Sequence, residues 1–184
     1  MALLISILIF ILIFCDIMKI SNDQLNDFQK NGFIFFKNLF SVNEVKNLKQ
    51  AVKRVVSRPG KNVTPEFNSD KIRMVHGSHE YDDTFAILCK HPRIIEPAEQ
   101  ILDDKIYIHQ SRLNFNYGFG TGGFYWHQDY ATWKEIDGLP EPKALMIAIF
   151  LDDVTSANGP LMFIPGSHKY GVIDDFEPVK DSTG

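Results

Sequence analysis

Downstream of residue 20, the hydrophobic positions first recur at helical spacing. Ser21 with Gln24, and Ser41 with Glu44, match the capping box, in which two side chains satisfy the open backbone N–H groups of a helix start. Each box predicts a helix, and Asn31–Gly32 is expected to end the first one. The second helix carries its apolar stripe at Val45, Leu48, Val52 and Val55. A polar loop is expected at residues 61–70. Two more helices are expected, one at residues 83–90 and one at residues 92–102.

Beyond Asp104 the hydrophobic period changes from helical to two. Alternation over residues 105–117 predicts a strand with one apolar and one polar face. The polar face is rich in amides and carries Gln110, Arg112, Asn114 and Asn116. Further strands are expected at residues 33–36, 124–129, 144–151 and 161–164. Helices followed by several short strands predict a mainly β fold, a sandwich or barrel with flanking helices.

The first 17 residues form a separate hydrophobic segment. Residues 2–14 are apolar apart from Ser6, but this run is shorter than the roughly 20 residues that span a bilayer. A signal peptide would need basic residues near its start, and the first basic residue is Lys19. Three origins stay open: an extension of the reading frame upstream of Met18, which the missing flanks favour, a signal or anchor, or a core helix. Residues 18–184 are expected to be the N-terminal and central part of a single domain.

Composition narrows the classes of function. The 184 residues are 45% hydrophobic and 12% aromatic, which is enough to bury a core and excludes an intrinsically disordered chain. A net charge of −4 makes nucleic acid an unfavourable partner. Two cysteines supply neither a disulfide framework nor a thiolate zinc site, and they fit a reducing compartment. We therefore expect a cytoplasmic location, with a membrane or secretory one only if residues 2–14 are retained.

The sharpest candidate for chemistry is His127-Gln128-Asp129. Positions i and i+2 of a strand face the same side, so the imidazole and the carboxylate would converge. Together with a second His, such a pair forms the facial triad of non-haem Fe(II) oxygenases. A lone His-x-Asp is common by chance and is more often a surface pair. The aromatic residues on both sides, from Phe124 to Trp133, fit a site that excludes water, although aromatic residues also simply pack cores.

Four segments, taken in order, resemble a known family. They read QSRLN at residues 110–114, FYWHQD at 124–129, DGLP at 137–140 and NGPLMFIPGSH at 158–168. This order is similar to that of the phytanoyl-CoA dioxygenase family, and within it to the ectoine hydroxylases, from about residue 21 to residue 170. The resemblance implies a double-stranded β-helix (jelly roll) that binds Fe(II) and 2-oxoglutarate. With O2 it would hydroxylate a small polar metabolite, ectoine-like or amino-acid-like.

The same resemblance implies a role for individual residues. His127 and Asp129 match the first two iron ligands of the family. The other matched positions are all polar or aromatic: Asn114 and Asn116 for 2-oxoglutarate, and Gln110 and Trp133 for the substrate.

The family's third iron ligand is a His that follows long after the Pro-Gly-Ser-His turn, whereas sixteen residues follow His168 here. His168 itself is expected to be structural, because turn histidines commonly bond the backbone. We therefore expect a jelly roll truncated before its third ligand. A non-catalytic jelly-roll binding module, or an inactive fragment, is the alternative function. The oligomeric state stays open, a homodimer included.

Overall fold

Both predicted capping boxes are formed, and each opens a helix. The computed structural model describes residues 18–58, 62–117, 126–156 and 158–173. Helix α1 spans Asn22–Asn31 and helix α2 spans Val42–Val56. In each, the serine at the N-cap accepts the backbone N–H three residues on, and the side chain of that third residue accepts the serine N–H. These bonds satisfy donors that a helix start otherwise leaves open.

The next two predicted helices are also confirmed. Helix α3 spans Asp83–Cys89, and Asp82 caps it by accepting the N–H of Thr84. Helix α4 spans Pro92–Leu102, with Pro92 in the first turn, where its missing N–H costs nothing. Its N-cap is His91, whose Nδ1 accepts the backbone N–H of Arg93.

A small antiparallel sheet lies at the middle of the chain. Strand β1 spans Val63–Pro65, β2 spans Ile72–His76 and β3 spans Arg112–Asn114, in the order β1-β2-β3. Val75 of β2 pairs with Val63 on one side and with Leu113 on the other. The prediction of a loop over residues 61–70 is therefore wrong for β1, and the sequence pattern had not indicated β2.

The buried core sits between this sheet and two of the helices. It combines one face of α2 with the centre of β2 and one residue of α3: Leu48, Ala51, Val55, Val75 and Phe85. Two of these residues, Leu48 and Val55, belong to the apolar stripe predicted for α2. Leu113 of the edge strand β3 also packs against this cluster.

Most other predicted strands lack a ladder in the described residues. Only residues 112–114 of the segment 105–117 pair with a neighbour, and residues 33–36, 144–151 and 161–164 form no strand. Residues 126–128 form no strand, and Asp129 begins helix α5, which spans Asp129–Ile136. Alternation marks an extended segment, whereas a strand also needs a partner with facing N–H and C=O groups. Within the described ranges helical residues thus outnumber strand residues, contrary to the expected mainly β content, and the jelly roll stays a prediction.

Several expectations concern parts of the chain outside these ranges. The hydrophobic segment 1–17 and residues 124–125 of the strand predicted at 124–129 are among them. Among the helices that the structure describes, none has the length and hydropathy needed to cross a bilayer.

Candidate metal site

His127 and Asp129 lie side by side, as the sequence predicts. Nε2 of His127 is 3.4 Å from Oδ1 of Asp129, with 55% of the histidine side chain and 25% of the aspartate side chain exposed. The local geometry differs from the predicted strand, because Asp129 is the first residue of α5. Gln128, the N-cap between them, is extended at φ −116° and ψ 119°. This single extended residue is enough to turn its two neighbours to the same side.

The donor set fits a transition metal in part. A metal bound at about 2.1 Å to each of two donors holds them about 3.0–3.4 Å apart, for octahedral or tetrahedral angles. The observed 3.4 Å lies at the upper, tetrahedral end of that range, and imidazole nitrogen with carboxylate oxygen is a donor pair that suits iron. Within the described ranges, no group of three or more His, Cys, Asp or Glu side chains could hold a metal. The described residues therefore bring together two side chains of the types that a facial triad uses, in an arrangement that an ordinary ion pair also shows.

Gln128 ties the candidate site to a distant part of the chain. Its Nε2 donates to the carbonyl of Gly171 at 2.8 Å, and its Oε1 accepts the backbone N–H of Ile173 at 2.8 Å. The side-chain amide of Gln128 thus donates to one backbone group and accepts from another two residues further on. This is the pattern by which one residue of a strand pairs with a neighbouring strand. Sequence reasoning missed this role, and the available signal was the position of an amide between two proposed ligands.

Helix α5 carries two of the predicted site residues. Asp129 lies in its first turn, where the helix dipole favours a negative side chain. Trp133 follows four residues later, so both side chains share one face of the helix. The indole of Trp133 contacts the imidazole of His109 edge-on, with ring centroids 5.5 Å apart. His109, which the sequence analysis did not single out, also pairs with Asp137 at the end of α5.

The predicted polar face of the segment around β3 is exposed. Gln110, Asn114 and Asn116 are each exposed. Within β3, the half-buried Leu113 lies between two exposed residues, Arg112 and Asn114. Asn116 lies against the turn at Gly159: a Cβ placed on that glycine would be 1.8 Å from Nδ2 of Asn116. Glycine at this position, with φ 79°, is what permits the approach.

His168 has the structural role expected of it. Its Nε2 lies 3.1 Å from the carbonyl oxygen of Gln29, near the end of α1. The backbone N–H of Gly166 donates to the carbonyl of Asn31 at 2.8 Å. Both bonds satisfy carbonyls that the helix leaves open at its C-terminal end.

Shifted pKa values occur where α2, α3 and α4 meet. Partial burial raises the pKa of Glu44, but hydrogen bonds from Ser41 and the Arg93 guanidinium outweigh burial and lower it to about 2. Burial lowers the pKa of His91, and the neighbouring Arg93 lowers it further. Burial raises the pKa of the Cys89 thiol, which keeps that side chain neutral and argues against a nucleophilic role. The Glu44–Arg93 pair links the start of α2 to the first turn of α4.

A family model matches the part of the chain that contains the His-x-Asp pair. The model described as phytanoyl-CoA dioxygenase (PhyH) matches residues 28–183, which is most of the chain. The chain belongs to the phytanoyl-CoA dioxygenase family. The match includes His127 and Asp129, α5 and the Pro-Gly-Ser-His turn.

Individual members of this family show the same relationship. The ectoine dioxygenase of Bordetella parapertussis is 38% identical over 154 residues, covering 82% of this chain and 50% of that protein. The L-proline trans-4-hydroxylase of Streptomyces griseoviridis is 36% identical over 146 residues, covering 79% of this chain and 54% of that protein. The chain therefore spans about half the length of these relatives.

Solved structures of one member, EctD from S. alaskensis, superpose on this chain. The apoform gives a TM-score of 0.78 at 37% identity, covering 85% of this chain and 59% of that one. The form with 2-oxoglutarate and 5-hydroxyectoine gives 0.64 at 34% identity, covering 67% and 45%. The form with bound Fe gives 0.58 at 35% identity, covering 62% and 42%. The resemblance noted from the four sequence segments is thereby confirmed.

Proposed function

We propose that this chain carries the iron-binding segment of an Fe(II)- and 2-oxoglutarate-dependent hydroxylase acting on a small polar metabolite. The observation that carries the proposal is the pairing of His127 and Asp129 at a separation suited to one shared metal. Membership of the phytanoyl-CoA dioxygenase family supports it. Structures of EctD with Fe and with 2-oxoglutarate support the same two cofactors. The double-stranded β-helix is part of this proposal.

In this proposal the residues of the chain hold and orient the reactants. His127 provides a neutral imidazole nitrogen to Fe(II), and Asp129 provides a carboxylate oxygen. With 2-oxoglutarate and O2 bound, iron supplies the oxidising chemistry that couples decarboxylation of the 2-oxo acid to hydroxylation of the substrate. Trp133, on the same face of α5 as Asp129, covers the substrate side and excludes water.

The exposed amides around β3 complete the proposed site. Asn114 and Asn116 donate hydrogen bonds to carboxylate oxygens of 2-oxoglutarate, and Gln110 bonds polar groups of the substrate. The amides contribute hydrogen bonds but no charge, so the charge on this face comes from Arg112. A polar substrate with several acceptor atoms suits such a face.

The names of two relatives suggest two compounds with which to probe the substrate. Ectoine and L-proline are the compounds that the names of the matched dioxygenase and hydroxylase point to. Both are small, polar and cyclic. We therefore propose a cyclic amino-acid-like metabolite as the substrate class.

Turnover by the full chain tests this function. The chain would be incubated in air with Fe(II), 2-oxoglutarate and either ectoine or L-proline, and succinate and hydroxylated product would be quantified. Substrate-dependent succinate is expected from the wild type and is expected to disappear in His127→Ala. Asp152→Asn serves as the control, because Asp152 is exposed and pairs with Lys49 on α2. The proposal fails if the wild type forms no succinate and binds no 2-oxoglutarate.

The alternative is a binding module without catalysis, and one observation favours it. Two donors rather than three converge in the described residues, and metal affinity rises with the number of preorganised ligands. Such a module would bind the metabolite or 2-oxoglutarate in a calorimetric titration while forming no succinate. Binding with turnover excludes it.

A further inference from the structure

The side chain of His109 makes two different contacts with α5 and its C-terminal cap. Its Nε2 lies 3.0 Å from Oδ2 of Asp137, with 32% and 40% of the two side chains exposed. Its ring also lies edge-on to the indole of Trp133, with an interplanar angle of 73°. An edge-to-face contact is directional, so it favours one orientation of the indole over others.

Asp137 and Trp133 belong to one locally closed unit. The carbonyl of Trp133 accepts the backbone N–H groups of Asp137 and Leu139, both at 3.1 Å, so the chain after α5 folds back onto the tryptophan. Tyr130 adds a further link, because its hydroxyl donates to the carbonyl of Pro140 at 3.2 Å. A side chain that contacts both Asp137 and Trp133 is therefore anchored at two points of the same unit.

His109 lies directly before the segment that carries the proposed substrate and 2-oxoglutarate ligands. Its direct neighbour is Gln110, a proposed substrate ligand, and the segment continues through β3 to the proposed 2-oxoglutarate ligands. Helix α5 carries Asp129 and Trp133. The imidazole thus bridges the segment that leads into β3 and the helix that carries the proposed metal ligand.

We propose that His109 is a positioning residue that fixes the indole of Trp133, and with it the substrate pocket, relative to Gln110. The inference rests on the proposed function in assigning Trp133 and Gln110 to the substrate. Loss of the imidazole would loosen substrate binding and leave the metal ligands in place. The expected kinetic effect is a rise in KM with little change in kcat.

The contact can be tested without metal or turnover. The chain has two tryptophans, so Trp126→Phe leaves Trp133 as the fluorescent probe. Time-resolved anisotropy in this background would compare His109 with three replacements: His109→Ala, which removes both contacts, His109→Phe, which keeps a ring, and His109→Gln, which keeps a hydrogen-bonding group. We expect faster local motion of the indole in His109→Ala and intermediate values in the other two.

A matched control and a second variant keep this test decisive. His91→Asn replaces a histidine at the start of α4 by another good N-cap, and it should leave the anisotropy of Trp133 unchanged. Should His109→Ala fail to fold, Asp137→Ala removes the other half of the pair and should increase indole motion in the same way. Equal anisotropy decays in the wild type and in the variant that folds would overturn the proposal.

Kinetics separate this inference from the proposed function. With ectoine or L-proline as the probe substrate, His109→Ala is expected to raise KM by about 2- to 10-fold, the range of one aromatic contact. His109→Gln should recover part of that loss. If the wild type forms no succinate, the proposed function fails while the anisotropy result still decides the role of His109. If turnover is present but KM stays unchanged in His109→Ala, the positioning role is wrong and the proposed function stands.

Discussion

Alanine at Gly32 would test how the Pro-Gly-Ser-His turn is anchored to α1. Gly32 ends this helix at φ 84°, and a Cβ there would lie 2.3 Å from Nδ1 of His168. Gly138 has a similar φ of 71°, but nothing lies within 4 Å of its Cβ position. The two glycines share a backbone conformation and differ in their surroundings, so the second is a matched control for the first.

The expected magnitudes follow from that difference. At both positions alanine costs about 1–2 kcal/mol for the left-handed conformation. At Gly32 the imidazole must also move away, which breaks the bond between Nε2 of His168 and the carbonyl of Gln29, about 0.5–1.5 kcal/mol more. We therefore expect Gly32→Ala to lower the free energy of unfolding by about 1.5–3.5 kcal/mol, and Gly138→Ala by about 1–2 kcal/mol.

Urea denaturation followed by far-ultraviolet circular dichroism measures both values. A third variant isolates the clash, because His168→Ala removes the ring that the new methyl group meets. In that background Gly32→Ala should cost about 1–2 kcal/mol, the same as Gly138→Ala. If Gly32→Ala costs no more than Gly138→Ala in the presence of His168, the packing of the turn against α1 is not as described.

Two further predictions concern the helical core and the proposed site. Glu44→Gln keeps the capping box of α2 but loses the charged pair with Arg93. Because the pKa of Glu44 is lowered to about 2, its stabilisation should be fully present above about pH 4.5 and disappear as the pH falls through about 2. The side chain is 38% exposed, so the cost at pH 7, measured by urea denaturation, should be only about 1 kcal/mol. A cost equal at pH 7 and pH 3 would contradict this. Gln128→Ala removes the bonds to Gly171 and Ile173 and should cost about 1–3 kcal/mol, while Gln128→Glu keeps one acceptor and should cost less. Both should weaken Co(II) binding in a spectroscopic titration, and unchanged affinity would show that this link does not orient the ligands.

The helical part of the fold could be predicted from the sequence because its determinants are local. Capping boxes, a proline in the first turn and a glycine at the helix end each act within one or two turns. Strands 112–114 and 72–76 depend instead on partners that are far away in the sequence, and β2 joins both neighbours only in the folded chain. Alternation therefore predicted more strands than the described residues form.

The proximity of the two proposed metal ligands was predictable from the sequence, but their local geometry was not. The pairing of His127 and Asp129 followed from their spacing, although one extended residue and a helix start replace the expected strand. The roles of Gln128 and His109 depend on contacts with Gly171 and Asp137, 43 and 28 residues away along the chain. Their partners in these contacts could not be predicted from a local pattern.

The most direct test of the central claim is anaerobic binding of Fe(II) with 2-oxoglutarate, followed by visible absorbance. The wild-type chain should give a saturable metal-to-2-oxoglutarate charge-transfer band. The band should disappear in both His127→Ala and Asp129→Ala, and it should persist in His91→Asn and Asp152→Asn. If the two alanine variants bind Fe(II) and 2-oxoglutarate as tightly as the wild type, His127 and Asp129 do not share a metal and the account is wrong.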